Sequence, residues 1–232
     1  MKLLSRDSNT KLIKTAKGLE NVVLAGLSLM PSAILCPSSK AAQCFDDCLK
    51  ESGLAQVYKS VNISRQKKTD LYMNDRKAFL TQLRRELTNL EKYAVKHNKR
   101  AIVRLNVLSD IAWEKHNIPQ DFPNISFYDY TKRANRLDNT PENYKLMFSY
   151  SAAPKYRKQV DIALTTDAPI TIVFRGGLPV EYMGRVVIDG DKSDIDNLEA
   201  KGKIVGLRVK GNDAKKSKSP FIVDSNIIAI GG

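Results

Sequence analysis

Three cysteines stand in the run Cys36-Pro-Ser-Ser-Lys-Ala-Ala-Gln-Cys44-Phe-Asp-Asp-Cys48, and the rest of the 232-residue chain has none. Thiolates at irregular spacing are the ligands of iron–sulfur clusters. Three of them leave one coordination position open for another group. Cys44 and Cys48 are four residues apart, so a helical turn would place both thiols on one face, with Cys36 reaching back from the preceding loop. Zinc in a structural site wants a fourth protein ligand, and His116 is the histidine placed to serve. An odd cysteine count argues against a disulfide framework, and clustered cysteines suit a reducing compartment. The opposing reading is three small thiols packed as core residues.

Other chemistry-bearing residues gather at the ends of apolar runs that read as strands. In sheets of parallel strands, ligands bind at the carboxyl ends. Those ends carry Asn106, Ser109 and Asp110, then Asp129, Thr131 and Lys132, then Ser149 and Ser151. We expect Asp110, Asp129 and Lys132 on the catalytic side, Asn106, Ser109 and Ser149 on the cofactor side, and Cys36, Cys44 and Cys48 on the metal. Asp189-Gly-Asp191-x-x-Asp194 lacks the spacing of a calcium loop and reads as a tight turn. Arg175-Gly176-Gly177 matches no phosphate-loop pattern. Trp113 and the tyrosines at 128, 130, 144 and 150 neighbour Arg104, Lys132, Arg133 and Arg136, an arrangement that suits either base stacking or strand core.

The positioning elements follow from periodicity. Residues 1–20 read as a basic arm or first hairpin, and residues 21–232 as one α/β domain with a Lys-rich polar loop over 210–219. Val22 to Leu29 reads as a buried strand stopped by Pro31. A long helix runs from an Asn74 N-cap to His97, with Phe79, Leu80, Leu83, Leu87, Leu90 and Ala94 on one stripe. Strands are then expected over 101–107, 124–130, 144–150, 170–175, 185–188 and 204–209, with short helical segments at 111–116 and 155–164. This alternation predicts an α/β fold, either a partial (β/α) barrel or an open, mainly parallel sheet of about six strands.

The formal charge of +13 favours anionic partners, nucleic acid among them. The basic, apolar start does not read as a secretion signal, since Asp7, Glu20 and Pro31 interrupt it and bulky Leu35 precedes Cys36. It also falls short of the roughly 20 apolar residues that span a bilayer. The expectation is a cytosolic protein with no membrane partner.

Several segments resemble phage and prophage proteins of the gene-product-88 type. They are Asn9-Thr-Lys11 with Lys14-Thr-Ala-Lys-Gly18, Cys36-Pro37, Arg104-Leu-Asn106 with Ser109-Asp-Ile-Ala-Trp-Glu114, and Phe127-Tyr-Asp-Tyr-Thr-Lys132. Asn143-Tyr144 with Phe148-Ser149, and Val187-Ile-Asp-Gly-Asp191 with Val205-Gly-Leu207, extend the likeness over residues 8–223. It implies a phage or mobile-element setting and a cytosolic protein acting on host or phage metabolism. Where such proteins often carry Asn-Gly-Thr-Ser-Asp, this chain has Asn106-Val-Leu-Ser-Asp110. The order of parts is also similar to radical S-adenosylmethionine enzymes, whose three-cysteine loop follows the first strand of a partial barrel. That similarity implies a [4Fe–4S] cluster on Cys36, Cys44 and Cys48, S-adenosylmethionine as co-substrate, and an anionic nucleotide or nucleic-acid substrate. The rival expectation is a non-catalytic nucleic-acid-binding protein with a structural metal.

Overall fold

The computed structural model describes residues 1–6, 21–45, 59–211 and 215–225. Most of the expected basic arm, and Cys48, lie outside these residues. The chain divides into two compact units, each assembled from separate stretches.

The first unit comprises Met1–Leu35, Leu54–Asp129 and Thr140–Lys145. β1 (Leu4–Ser5) pairs antiparallel with β2 (Val22–Leu27), which was expected as a strand. Two helices follow, α1 (Lys59–Asn74) and α2 (Arg76–Lys96). β3 (Arg100–Arg104) lies parallel to β2, and after the short α3 (Ile118–Asp121), β4 (Ser126–Thr131) lies parallel to β3. α2 buries Phe79, Leu83, Leu87, Leu90 and Ala94, the expected stripe, with Leu80 half-buried at its margin. Its N-cap is Asp75, not Asn74, because the Asp75 carboxylate accepts from Ala78 N–H at 2.9 Å and Asn74 still belongs to α1.

α1 was not foreseen. Its buried positions are Lys68, Thr69 and Tyr72, so it carries no apolar stripe for periodicity to detect. Two of its three inward contacts are polar. Lys68 Nζ donates to Leu3 O at 2.8 Å, while Glu86 on α2 accepts from Leu3 N–H at 2.8 Å and Leu4 N–H at 2.8 Å. Side chains of the two helices thus bond the β1 backbone where a further strand would otherwise pair with it. Burial holds the Lys68 ammonium below the usual lysine range, and Glu86 opposes that shift.

Tyr72, Phe79 and Trp113 pack edge-on and stacked around the same helices, with Tyr72 Oη 3.4 Å from His116 Nε2. Burial, and then the Arg76 and Arg84 cations, lower the His116 pKa, and Glu114 opposes them. A depressed histidine pKa means that the unfolded chain takes up the proton first. Stability is therefore complete above the unfolded value of about 6.5 and is lost as pH falls toward the lower folded value. Urea midpoints are expected to drop between about pH 7.5 and about pH 5.5, and the drop should shrink in His116→Gln. An identical pH profile in that variant would remove His116 from the account.

The second unit comprises Cys36–Gly53, Tyr130–Asn139 and Leu146–Gly232. β5 (Tyr144–Ser149) is followed by α4 (Arg157–Leu164) and β6 (Ile170–Arg175). Then come β7 (Glu181–Tyr182), β8 (Arg185–Asp189), α5 (Asp194–Leu198), β9 (Ile204–Arg208) and β10 (Ile222–Asp224). β6 is central, with β9 parallel along one side and β8 parallel beyond β9. On the other side of β6, β5 pairs with Ile170 and Thr171, and β10 pairs with Val173 to Arg175. Two strands therefore share one edge of β6, and Ala152 N–H bonds Pro220 O where the first gives way to the second. Phe148, Tyr156, Val160, Ile172 and Phe174 form this unit's core.

The fold is thus mixed α/β with mostly parallel, open sheet and no closed barrel among the described residues. The described residues form ten strands, where the sequence places seven in a sheet expected to hold about six. The surplus are two or three residues long (β1, β7 and β10), too short to show a period.

Candidate functional site

The candidate residues fall into two groups, one in each unit. In the first unit, the turn after β3 is organised by Asn106, which is buried. Its Oδ1 accepts from Ser109 Oγ at 2.8 Å, Ile111 N–H at 2.9 Å and Trp113 Nε1 at 3.1 Å. Its Nδ2 donates to Ile111 O at 2.9 Å and to Asp129 Oδ2 at 3.1 Å. Asp129 ends a stretch of β4 in which Phe127 and Tyr128 are also buried, so its carboxylate sits inside the unit. That carboxylate accepts from Asn106 N–H at 2.7 Å and Tyr144 Oη at 2.8 Å. Asp110 is also buried, its N–H bonded to Leu35 O at 2.8 Å. A hydrogen-bonded network of this kind fixes the loop that carries Ser109 and Asp110.

Two partners in this network are Trp113 and Tyr144, whose side chains the sequence offers for base stacking or strand core. Both are buried, as are Tyr128 and Tyr150, so these rings serve as core and do not present stacking faces. The overlooked signal is polarity: buried Trp N–H and Tyr O–H groups need acceptors, and Asn106 and Asp129 are the amide and acid at the adjacent strand ends. Tyr130 is half-buried and donates to Asp194 Oδ1 at 2.8 Å.

In the second unit, Lys132 follows β4 and is buried. Its Nζ donates to Ser149 Oγ at 2.9 Å and lies 4.4 Å from the Phe221 ring centroid and 5.7 Å from that of Tyr156. Tyr156 Oη donates to Lys132 O at 2.7 Å and Ser149 O at 3.1 Å, locking the two strand ends together. Sequence spacing gives no sign of Tyr156 or Phe221 as part of this group. Burial, and then a bond to Tyr182, push the Tyr150 phenol well above its usual range, so it stays protonated.

The cysteine segment belongs to this unit. Cys36 precedes a 3-10 turn over Pro37–Ser39, and a chain of backbone bonds closes the loop: Ser39 N–H to Cys36 O, Ala42 N–H to Ser38 O, Cys44 N–H to Ser39 O. Ser151 Oγ, just past β5, donates to Ala42 O at 2.7 Å, and Ser219 Oγ bonds Gln43 O. The loop is therefore tied to the strand ends that carry Ser149 and Lys132. Cys36 is half-buried, whereas Cys44 is buried beside Ala42, with its thiol 3.7 Å from Ser39 O. Among the described residues no group of three His, Cys, Asp or Glu is arranged to hold a metal. The three-thiolate set needs Cys48, which lies outside them.

The Asp189–Asp194 segment is a turn. Asp191 N–H bonds Asp189 Oδ1, and Arg208 and Lys210 occupy the carboxylates, Arg208 at 2.9 Å from Asp189. Gly190 is required there, since a Cβ would collide with the Val205 side chain. Arg175 donates to Ser217 O within the Lys-rich loop. No described helix is long and apolar enough to cross a membrane.

Comparison with protein-family models matches residues 2–224 to the model described as gene product 88. No curated protein and no solved structure matches the chain.

Proposed function

The chain belongs to the gene product 88 family of phage proteins, and from that premise we propose that it is a phage iron–sulfur protein acting in the host cytosol on an anionic, nucleotide-class ligand. One observation carries the reading. The loop holding Cys36 and Cys44 is bonded through Ser151 to the strand end where Lys132 and Ser149 meet. Thiols and a buried cation thus share one end of one unit.

Cys36, Cys44 and Cys48 would hold the cluster, which when bound supplies electron transfer to a neighbouring ligand. The chain's own residues do the rest. Lys132, fixed by Ser149 and flanked by Phe221 and Tyr156, supplies the positive charge that orients an anionic group, and the rings limit water around it. Tyr156 holds the two strand ends at constant spacing. In the first unit, Asn106 and Asp129 shape the loop that carries Ser109 and Asp110. S-adenosylmethionine is the co-substrate named by the order of parts, a three-cysteine segment after β2.

Anaerobically purified protein is expected to be coloured, to absorb in the visible range and to contain iron and acid-labile sulfide. Colourless protein without iron sinks the cluster. If iron is present, reduction and addition of S-adenosylmethionine should yield 5′-deoxyadenosine. Failure of that second step alone would remove the co-substrate and leave the cluster.

A further inference from the structure

We propose that the solvent face of α2 docks duplex DNA through its phosphate backbone, independently of base sequence and of the cysteine site. Residues 59–100, which contain α1 and α2, hold twelve Lys and Arg against four Asp and Glu, so most of the chain's excess charge lies there. On α2 that charge is sorted. Lys77, Thr81, Arg85, Thr88, Lys92 and Lys96 recur at three- and four-residue steps on the side opposite Phe79, Leu83, Leu87, Leu90 and Ala94. All four cations are exposed.

The acids on the helix are turned to other work. Glu86 is taken by the Leu3 and Leu4 N–H groups, and Glu91 accepts from Asn124 Nδ2 at 3.1 Å. Arg84 is also withdrawn, bonded to Asp121 and to His116 O. What remains outward is a row of cations with Thr81 exposed among them, while the half-buried Thr88 hydroxyl donates to Arg84 O and Arg85 bonds Gln82 on the same helix. The row runs about 28 Å along the helix, close to one turn of duplex.

The occupant follows from three features. A row of positive charge without acids complements a polyanion. Lys and Arg side chains, with a Thr hydroxyl such as that of Thr81 among them, are groups that contact phosphate oxygens. The row carries no aromatic side chain, since Tyr93 is stacked on His97 at 4.1 Å and covered by Arg6 at 4.0 Å, so the stacking platforms that hold single strands are missing. Contacts of this kind to the backbone position a protein on the duplex and do not read sequence.

The test is fluorescence anisotropy with a labelled, mixed-sequence duplex of about 20 base pairs, from about 50 to about 200 mM salt. A variant carrying Lys77→Gln, Arg85→Gln, Lys92→Gln and Lys96→Gln is compared with a control of equal charge loss, Lys155→Gln, Lys158→Gln, Lys201→Gln and Lys215→Gln. All eight positions are exposed, and unchanged melting temperatures confirm that both variants fold. The first variant should bind at least ~30-fold more weakly, with the log–log salt slope reduced by about 3 to 4, while the control stays within ~3-fold of wild type. Each single α2 substitution should remove about one unit of slope. Equal losses in both quadruple variants would reduce the effect to net charge and overturn the proposal. So would the absence of saturable binding by wild type at the lowest salt, or tighter binding of a single strand of the same length.

Discussion

Asn106→Leu is expected to destabilise the first unit by about 3–5 kcal/mol, the largest single-residue effect we foresee. Leucine keeps the branched outline of asparagine, though it is bulkier, and removes the acceptor shared by Ser109, Ile111 and Trp113 and the donor to Asp129. A buried donor or acceptor left unmade costs about 1–3 kcal/mol, and such losses within one network do not simply add. Asn106→Asp separates geometry from charge. It keeps the Oδ1 acceptor but places a second carboxylate beside Asp129, so its destabilisation should lessen as pH falls and one of the two is protonated. Tyr144→Phe, which removes one donor to Asp129, is expected to cost about 1 kcal/mol. Urea denaturation reads all three. A loss below about 1 kcal/mol for Asn106→Leu would show that the loop after β3 does not depend on this network.

The second large effect concerns the cysteines, and it turns on equality. Cys44 is buried in the core of the second unit and Cys36 is half-buried. If thiols are merely packed, Cys44→Ala should cost about 1–2 kcal/mol and Cys36→Ser at most about 0.5 kcal/mol, following burial. If they are ligands, Cys36→Ser, Cys44→Ser and Cys48→Ser should abolish bound iron and visible absorption alike, whatever their burial. Metal analysis of wild type and the three purified variants, read beside their urea midpoints, decides between the two. A wild type without metal, with stability losses graded by burial, would return the segment to core packing.

How legible these features were depended on what each residue contacts. The α2 stripe was readable because five apolar residues recur on one face of a helix. α1 was not, because two of its three inward contacts are made by Lys68 and Thr69, which a hydropathy pattern treats as surface, and Tyr72 alone makes no stripe. Asn106, Ser109 and Asp129 could be singled out as polar residues ending apolar runs. That they bond mainly to one another, to Trp113 and to Tyr144 depends on how strands and turn are juxtaposed, which spacing along one strand does not encode. Lys132 and Ser149 were likewise legible as strand ends, while Tyr156 and Phe221, which frame them, come from the far side of β5 and from the approach to β10.

The sharing of one β6 edge by β5 and β10 also constrains how the protein is made. On the ribosome, β10 emerges only after β7, β8, α5 and β9. Until then the carboxyl half of β6 shows unpaired N–H and C=O groups flanked by Ile172 and Phe174, a template for pairing with another nascent chain. Translation stalled ahead of Ile222 would leave that half-edge open while the rest of the unit's strands are already available. The tendency of such intermediates to associate is therefore set by a three-residue strand, and a chaperone or the chain's own speed of completion must cover the interval.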